Sequence, residues 1–217
     1  MVELNQIILA DCMTIMKDIP DGFFDIGIVD PPYGIGDKLH FGGGSHTKTK
    51  CKFGNMYSES GKKWDIRPDE NYFKELFRVS KNQIIWGGNY FNLPPVRGFI
   101  IWDKDRAVEN FSSIEFAWSS FDRHAKIFKY CNNAGFILKP FDYKIHPTQK
   151  PIALYRWLLQ NYAKTGDKII DTHSGSGSLA CACHLEKFDF LAIEKDEDYY
   201  KLSVERLETL RSQGRLF

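Results

Sequence analysis

The sequence predicts an α/β fold with a doubly wound, mainly parallel sheet. Short β-branched apolar segments alternate with helical patterns, as expected where strands are buried on both faces. The 217 residues, of which 43% are hydrophobic, can build one large core. We therefore expect a single domain over residues 1–217, with irregular insertions around 34–65 and 105–140.

Seven short apolar segments are the predicted strands. They are Gln6–Leu9, Phe24–Val29, Gln83–Trp86, Phe99–Trp102, Ile114–Trp118, Lys168–Asp171 and Phe190–Glu194. Helices are predicted after Pro68, from Pro151, and from an acidic run at 196–198 to Arg206, Arg211 and Arg215. Proline suits the first turn of a helix, and acidic residues at its start with basic residues at its end complement its dipole.

Composition excludes some classes of protein and leaves the partner open. The chain contains no apolar run of about 18 residues and does not begin with a secretion signal, so we expect a cytoplasmic protein. Its five cysteines form no C-x-x-C pair, which argues against a zinc site or a disulfide framework. The net charge of +1 does not indicate a partner, because a nucleic-acid enzyme can confine its positive charge to one face.

The segment Asp30-Pro31-Pro32-Tyr33 directly follows the predicted strand Phe24–Val29, at the end of a strand where α/β sheets bind ligands. Two successive prolines remove two N–H donors and stiffen the turn. The turn can therefore accept hydrogen bonds and donate almost none, which suits an exocyclic amine. Asp30 and the Pro31 carbonyl would accept its N–H groups, and Tyr33 would offer a flat face to a base. An ordinary turn is the alternative.

The segment 169–178 predicts a strand, a tight glycine turn and the start of a helix. Gly175 and Gly177 would let the backbone approach a nucleotide-type ligand, and Glu194 ends the next strand, where an acceptor for a ribose diol is expected. A tight turn without a ligand is the alternative. The third glycine of the dinucleotide fingerprint is absent, so NAD is the poorer candidate.

These motifs resemble the β class of the amino-DNA methyltransferases, which methylate adenine N6 or cytosine N4. Three blocks carry the resemblance: 30–33, His146-Pro147-Thr148-Gln149-Lys150-Pro151, and 171–178. A catalytic block followed by a cofactor block is the permuted order of that class. Segment 10–12 resembles the family's G-D-C, whereas the likeness thins between 34 and 133. The resemblance implies a Rossmann-like methyltransferase fold and S-adenosylmethionine as cofactor.

The family's site residues carry over to matching positions of this chain. Asp30 and Pro31 would bind the target amine, Pro32 would keep the turn rigid, and Tyr33 would stack on the extruded base. The implied cofactor residues are Asp11 and Cys12 at the adenine, Glu194 at the ribose, Asp171, His173, Gly175, Ser176, Gly177 and Ser178 around the methionine, and Thr148 and Lys150 near the carboxylate. His173 replaces the usual phenylalanine, so its protonation could make activity pH-sensitive. A structural histidine is the alternative.

Double-stranded DNA is the implied partner, because a base inside a duplex must be flipped to reach the cofactor. Aspartate at position 30 is typical of adenine methylation, whereas cytosine-N4 enzymes often have serine. Two basic segments compete as DNA contacts. One holds Lys38, His40, His46, Lys48, Lys50, Lys52, Lys62 and Lys63, and the other holds Arg123, His124, Lys126 and Lys129.

Other readings stay open at this point. One alternative is a methyltransferase that acts on RNA or on a protein glutamine, since these enzymes share the cofactor fold and have a related N-P-P-Y turn. The aspartate at position 30, in place of asparagine, argues against this alternative. A nucleotide-dependent oxidoreductase or a catalytically silent DNA-binding module is the alternative from another class. Many family members are dimers, so the resemblance implies that a homodimer is possible. It also implies a location in the cytoplasm of a bacterium or of a phage-infected cell. Aromatic residues after two strands, from Trp86 to Phe91 and at Trp102, are candidates for the base pocket or the core.

Overall fold

The computed structural model describes residues 2–35, 65–105, 112–131, 143–146 and 148–213. Within these ranges the strands form one sheet with helices on both faces. The strands are β1 Gln6–Leu9, β2 Phe24–Val29, β3 Ser80–Trp86, β4 Phe99–Asp103, β5 Ile114–Ser119, β6 Lys126–Lys129, β7 Lys168–Asp171 and β8 Asp189–Glu194. The helices are α1 Cys12–Lys17, α2 Glu70–Val79, α3 Ile152–Tyr162, α4 Ser178–Glu186 and α5 Glu197–Gln213.

The sheet confirms the predicted doubly wound, mainly parallel architecture. Its strand order is β1-β8-β7-β2-β3-β5-β4-β6, and β5 is the one described strand that runs antiparallel to its neighbours. From β7 the chain continues to β8 on one side, whereas from β2 it continues to β3 on the other. The strand order therefore reverses between β2 and β7, and such a reversal opens a crevice at the carboxyl ends of the strands.

Helices cover both faces of the sheet, which explains the uninterrupted apolar strands. Successive residues of a strand point to opposite faces. Ile84 and Ile169 belong to the hydrophobic core beneath α3, α4 and α5, whereas their neighbours Ile85 and Ile170 belong to the core beneath α1 and α2. All four side chains are completely buried. The central strands must therefore be apolar at every position rather than at alternate ones.

Two helix termini carry the caps that their sequences allow. The Asp11 carboxylate accepts the Met13 N–H at 2.9 Å at the start of α1. Asp69 accepts the N–H groups of Asn71 and Tyr72, so α2 begins at Glu70. Such side-chain caps satisfy backbone donors that have no partner within the helix.

The structure corrects the prediction that α5 ends among three arginines. The helix continues to Gln213, so Arg206 lies well inside it, and its side chain is completely buried. It contacts the glycine loop instead of the helix terminus, as described below. Arg211 does lie in the last turn, whereas Arg215 falls outside the described residues.

Other differences concern short or polar elements. Strand β6, Lys126–Lys129, and helix α1 were not predicted; β6 has only two apolar residues and lies at the edge of the sheet. Strand β3 begins at Ser80, earlier than predicted, because Ser80 already pairs with Phe24 of β2, and its buried Oγ donates to the Leu76 carbonyl. Among the described helices, none has the length and apolar character needed to cross a membrane. Most of the insertion predicted at 34–65 lies outside the described residues, as do residues 106–111 and 132–140 of the one predicted at 105–140. The described part of the second insertion is not wholly irregular, because it contains β5 and β6.

Candidate active site

A cavity of about 1490 Å³ opens at the carboxyl ends of the central strands. Strands β2 and β7 are neighbours with Gly27 paired to Ile170, so the turn after β2 and the loop after β7 share this cavity. It is lined by most of the predicted site residues: Asp11, Cys12, Asp30, Pro31, Pro32, Tyr33, Thr148, Lys150, His173, Gly175, Ser176, Ser178 and Glu194. Asp171 and Gly177 are buried and do not line it.

The Asp30 carboxylate is held at both oxygens. Oδ1 accepts the Tyr33 hydroxyl at 2.7 Å, and Oδ2 accepts the Lys150 ammonium at 2.5 Å. An ionised carboxylate has about four acceptor positions, so each oxygen keeps room for a further donor. The turn therefore presents an oriented acceptor to the cavity.

Tyr33 packs against the segment that follows β3. Its ring stacks on Tyr90 with centroids 4.8 Å apart and an interplanar angle of 17°. A side chain on Gly87 would collide with the ring, because a Cβ there would lie 2.2 Å from Tyr33 Cε1. Burial and the adjacent Asp30 raise the pKa of Tyr33 well above its usual value, so its hydroxyl stays a donor. Tyr90, which remains 38% exposed, is the aromatic residue of this segment that reaches the cavity beside Tyr33.

The glycine loop is supported from behind by a buried arginine. Gly175 and Gly177 have φ angles of +50° and +68°, a region that residues with a Cβ rarely adopt. Arg206 Nη1 donates to the Ser176 carbonyl and to Ser178 Oγ, both at 2.9 Å. The loop backbone is thus held in its unusual conformation by a side chain that sequence motifs did not single out.

Glu194 ends β8 beside the glycine loop. Its Oε2 accepts the Gly175 N–H at 2.6 Å, and its Oε1 accepts the N–H groups of Lys195 and Asp196, both at 2.9 Å. Burial is the main reason why its pKa is raised. Because three of its acceptor positions are used, about one remains for a ligand hydroxyl.

Asp171 acts on the loop from below. Its Oδ1 accepts the His173 N–H at 3.1 Å, and its side chain is 5% exposed. Burial raises its pKa to about 8; the hydrogen bond from His173 opposes this shift, and the charges of Asp30 and Glu194 add to it. A cation bound on the cavity side of the loop would act on Asp171 through its charge and favour the ionised form of this carboxyl group.

His173 is neutral near physiological pH. Burial lowers its pKa to about 4. Its Nδ1 lies 3.0 Å from Thr172 Oγ1 and 3.5 Å from the Tyr72 hydroxyl, and these two hydroxyls are themselves 2.6 Å apart. The expectation that His173 makes activity pH-sensitive near neutrality is therefore wrong, because a buried imidazole with hydroxyl partners resists protonation.

Asp11 and Cys12 line the cavity next to Glu194. Besides capping α1, Asp11 accepts the Lys195 ammonium at 2.8 Å, and this bond lowers the pKa of Asp11. Burial raises the pKa of the Cys12 thiol to about 11, so the thiol is protonated and unreactive at neutral pH.

Residues from the 146–151 block meet the Asp30 turn and the glycine loop. His146 lies under Gly175, where a Cβ would be 3.7 Å from its ring, and burial lowers its pKa to about 4. Thr148 Oγ1 is 3.2 Å from His146 Nδ1. Lys150 was predicted near the cofactor carboxylate, but its ammonium contacts Asp30 and Glu115. Pro147 lies outside the described residues.

Sequence reasoning missed several residues of the cavity. Glu115 and Lys104 form an ion pair of 2.7 Å beside Lys150, and both line the cavity. Tyr155, in the helix that was predicted from Pro151, also lines it. A charged residue within the apolar strand β5 was the one available signal for Glu115.

The two candidate DNA-contact segments differ in position. The lysines and histidines between residues 38 and 63 lie outside the described residues. Strand β6 runs parallel to β4, so Lys126 starts it at the end of the sheet opposite the cavity. Lys126 and Arg123 bond there to Asn161 at the end of α3. Of this second patch, Lys129 alone lies toward the cavity end, so the patch is poorly placed to hold DNA over the cavity.

Residues 101–205 match the family model described as DNA methylase, which covers N6 and N4 methylases. The Type II methyltransferase M.HinfI of Haemophilus influenzae is 24% identical over 96% of this chain and 69% of that protein. These similarities support an amino-DNA methyltransferase family for this chain. This methyltransferase family uses S-adenosylmethionine, which confirms the expected cofactor and favours a methyltransferase over an oxidoreductase or a silent DNA-binding module.

Solved structures support the same fold. The structure of the M1.HpyAVI–SAM complex matches with a TM-score of 0.55 and 20% identity, covering 93% of this chain and 98% of that one. The cytosine-N4-specific PvuII DNA methyltransferase matches with a TM-score of 0.62 and 11% identity, covering 95% and 90%. At these identities the likeness concerns the fold, so the Rossmann-like architecture is confirmed and the target base is not.

The residues present fit S-adenosylmethionine. Ser174 Oγ lines the cavity, is buried, and has no hydrogen-bond partner among the described residues, so a ligand could satisfy it. Gly175 also lines the cavity, and the ring that an added Cβ would meet, that of His146, lies at an ordinary contact distance of 3.7 Å. The cavity also exceeds the roughly 300–1,000 Å³ of ordinary small-molecule sites, which leaves room for a cofactor and a base together.

Proposed function

We propose that this protein methylates the N6 amine of adenine in double-stranded DNA after flipping the base out of the duplex. One observation carries the proposal: the donor-poor turn 30–33 opens into the same cavity as the glycine loop. An amine acceptor and a nucleotide-type loop in one cavity suit direct methyl transfer to nitrogen. A separation of the two features would have argued against this chemistry.

The turn would orient the amine. Asp30 and the Pro31 carbonyl accept its two N–H groups, so that the nitrogen electron pair is directed toward the methyl donor. Pro32 keeps the turn rigid. Tyr33 provides a flat face for the flipped base, which would either replace Tyr90 against the Tyr33 ring or leave Tyr90 stacked on the outer face of the base. When bound, S-adenosylmethionine supplies an electrophilic methyl group on its sulfonium. No covalent enzyme intermediate is needed.

The other predicted residues would hold the cofactor. Asp11 and Cys12 contact the adenine, Glu194 accepts from a ribose hydroxyl, and Thr148 lies near the carboxylate. The methionine part is assigned to Gly175, Ser176 and Ser178, which line the cavity, with Asp171, His173 and Gly177 shaping the loop around it. Adenine is preferred over cytosine because position 30 is aspartate rather than serine.

Long-read sequencing of DNA from cells that express the protein tests the base, its position and the surrounding motif together. The expected result is N6-methyladenine at one recurring sequence, lost in Asp30→Ala. That variant should still bind S-adenosylmethionine in titration calorimetry. N4-methylcytosine at the recurring site would overturn the choice of base, and label from tritiated cofactor in RNA or protein but not in DNA would overturn the substrate.

A further inference from the structure

Lys150 is buried and forms an ion pair with Asp30, the residue proposed to accept the target amine. Its ammonium lies 2.5 Å from Asp30 Oδ2 and 3.1 Å from Glu115 Oε2, and its side chain is 2% exposed. We propose, on the basis of the function proposed above, that Lys150 is a positioning residue for Asp30. It fixes the rotation of the carboxylate that accepts the target amine, rather than binding the cofactor.

The surroundings of the ammonium argue for this role. A lysine has three N–H donors. Two directions are taken by the carboxylates of Asp30 and Glu115, and the ring of Trp86 lies 5.1 Å from Nζ, a cation–π distance. Trp86 is completely buried, so its packed ring covers this side of the ammonium. A cofactor carboxylate could gain Lys150 only by displacing one of these partners.

Electrostatics keep the group charged. Burial disfavours an ammonium, but the carboxylates of Asp30 and Glu115 raise the pKa of Lys150 above its usual value. Glu115 is partly buried, with 27% of its side chain exposed, and its pKa is lowered by Lys150 and Lys104 although burial opposes this shift. The four side chains form a row of alternating charge, Lys104, Glu115, Lys150 and Asp30, with ion-pair distances of 2.7, 3.1 and 2.5 Å. Glu115 and Lys104 therefore anchor Lys150 from behind.

The consequence for Asp30 is a carboxylate clamped at both ends. Tyr33 bonds Oδ1 and Lys150 bonds Oδ2, so the plane of the group cannot turn without breaking a charge-assisted bond. One acceptor position on each oxygen remains for the amine. Without Lys150 the carboxylate would keep a single anchor and could rotate away from the amine.

The test is Lys150→Met in the full chain, with kcat for DNA methylation and the Kd for S-adenosylmethionine measured side by side. Misplacement of a reacting group by about 1 Å costs on the order of 100-fold in rate, so we expect kcat to fall by about that factor. The Kd should stay unchanged within error. Lys150→Arg, which restores the charge, should recover part of kcat. Lys81→Met is the matched control, because Lys81 pairs with Asp25 at 2.7 Å on the surface and should alter neither quantity.

Two further measurements separate positioning from a merely structural role. In Asp30→Asn/Lys150→Met the residual rate should equal that of Asp30→Asn alone, because Lys150 acts through Asp30. Glu115→Gln leaves Lys150 in place but weakens its anchor, so it should lower kcat without changing the cofactor Kd, and it remains informative if Lys150→Met does not fold.

Three results would overturn the inference. Losses that multiply in the double variant would mean that Lys150 does not act through Asp30. A cofactor Kd that rises in Lys150→Met, with decarboxylated cofactor binding equally to both proteins, would mean that Lys150 binds the cofactor carboxylate. An active wild type beside an equally active Lys150→Met removes the inference alone, whereas a wild type that methylates no DNA removes the proposed function with it.

Discussion

Replacing Gly87 by alanine should slow methyl transfer by displacing Tyr33. A Cβ at Gly87 would lie 2.2 Å from Tyr33 Cε1, whereas carbon atoms in contact are about 3.5–4.0 Å apart. The ring must therefore move by about 1.5 Å, which breaks the 2.7 Å bond from the Tyr33 hydroxyl to Asp30. We expect kcat to fall by about 100-fold, since displacements near 1 Å have that effect. Left-handed strain costs roughly 1–2 kcal/mol and overpacking roughly 1–3 kcal/mol in the free energy of unfolding.

Gly22→Ala is the matched control for this experiment. Gly22 has φ +61°, close to the +66° of Gly87, but its Cβ would meet Lys81 Cγ at an ordinary 3.7 Å. It should therefore lose stability through backbone strain alone and keep its kcat. Single-turnover methylation of DNA, urea unfolding and cofactor titration on both variants check the reasoning. Equal loss of kcat in the two variants, or an unchanged kcat in Gly87→Ala, would refute the link between Gly87 and the Tyr33 ring.

Three further outcomes are expected. Because the pKa of Asp171 is about 8, binding of the cationic cofactor at pH 7 should release a proton from Asp171, and the affinity should increase as the pH rises toward 8. Calorimetry in buffers of different ionisation enthalpy measures the proton release, which should be absent in Asp171→Asn. The pKa of His173 is about 4 in the folded protein and near 6.5 in the unfolded chain, so the free energy of unfolding should fall by up to about 3 kcal/mol as the pH decreases from 6.5 to 4. In urea unfolding, the free energy of unfolding of His173→Phe should depend less on pH over this range. Arg206→Met should cost about 3 kcal/mol and weaken cofactor binding, because two hydrogen bonds from a buried charge to the glycine loop disappear. Arg211→Met on the same helix is its control, and equal effects of the two on cofactor affinity would contradict the role of Arg206.

Periodicity identified the strands that apolar content makes conspicuous. The bounds of β1, β2 and β7 agree with the prediction, because each contains a short run of apolar residues next to a change in the sequence pattern. Strand β6 was missed because Lys-Ile-Phe-Lys has too few apolar residues to stand out; it forms only where β4 offers its edge. Arg206 was misplaced at a helix end because a pattern of charges does not show which arginine is buried.

The sequence by itself determined the chemistry of the two motifs: a turn rich in acceptors after β2, and a glycine loop after β7. These are local properties of adjacent residues, so spacing is enough to reveal them. Only the tertiary structure decided that they share one cavity, because this depends on the pairing of β2 with β7. The contact of Lys150 with Asp30 joins residues 120 positions apart, and no local pattern encodes it. Strand direction likewise decided that Arg123 and Lys126 lie at the opposite end of the sheet from the cavity.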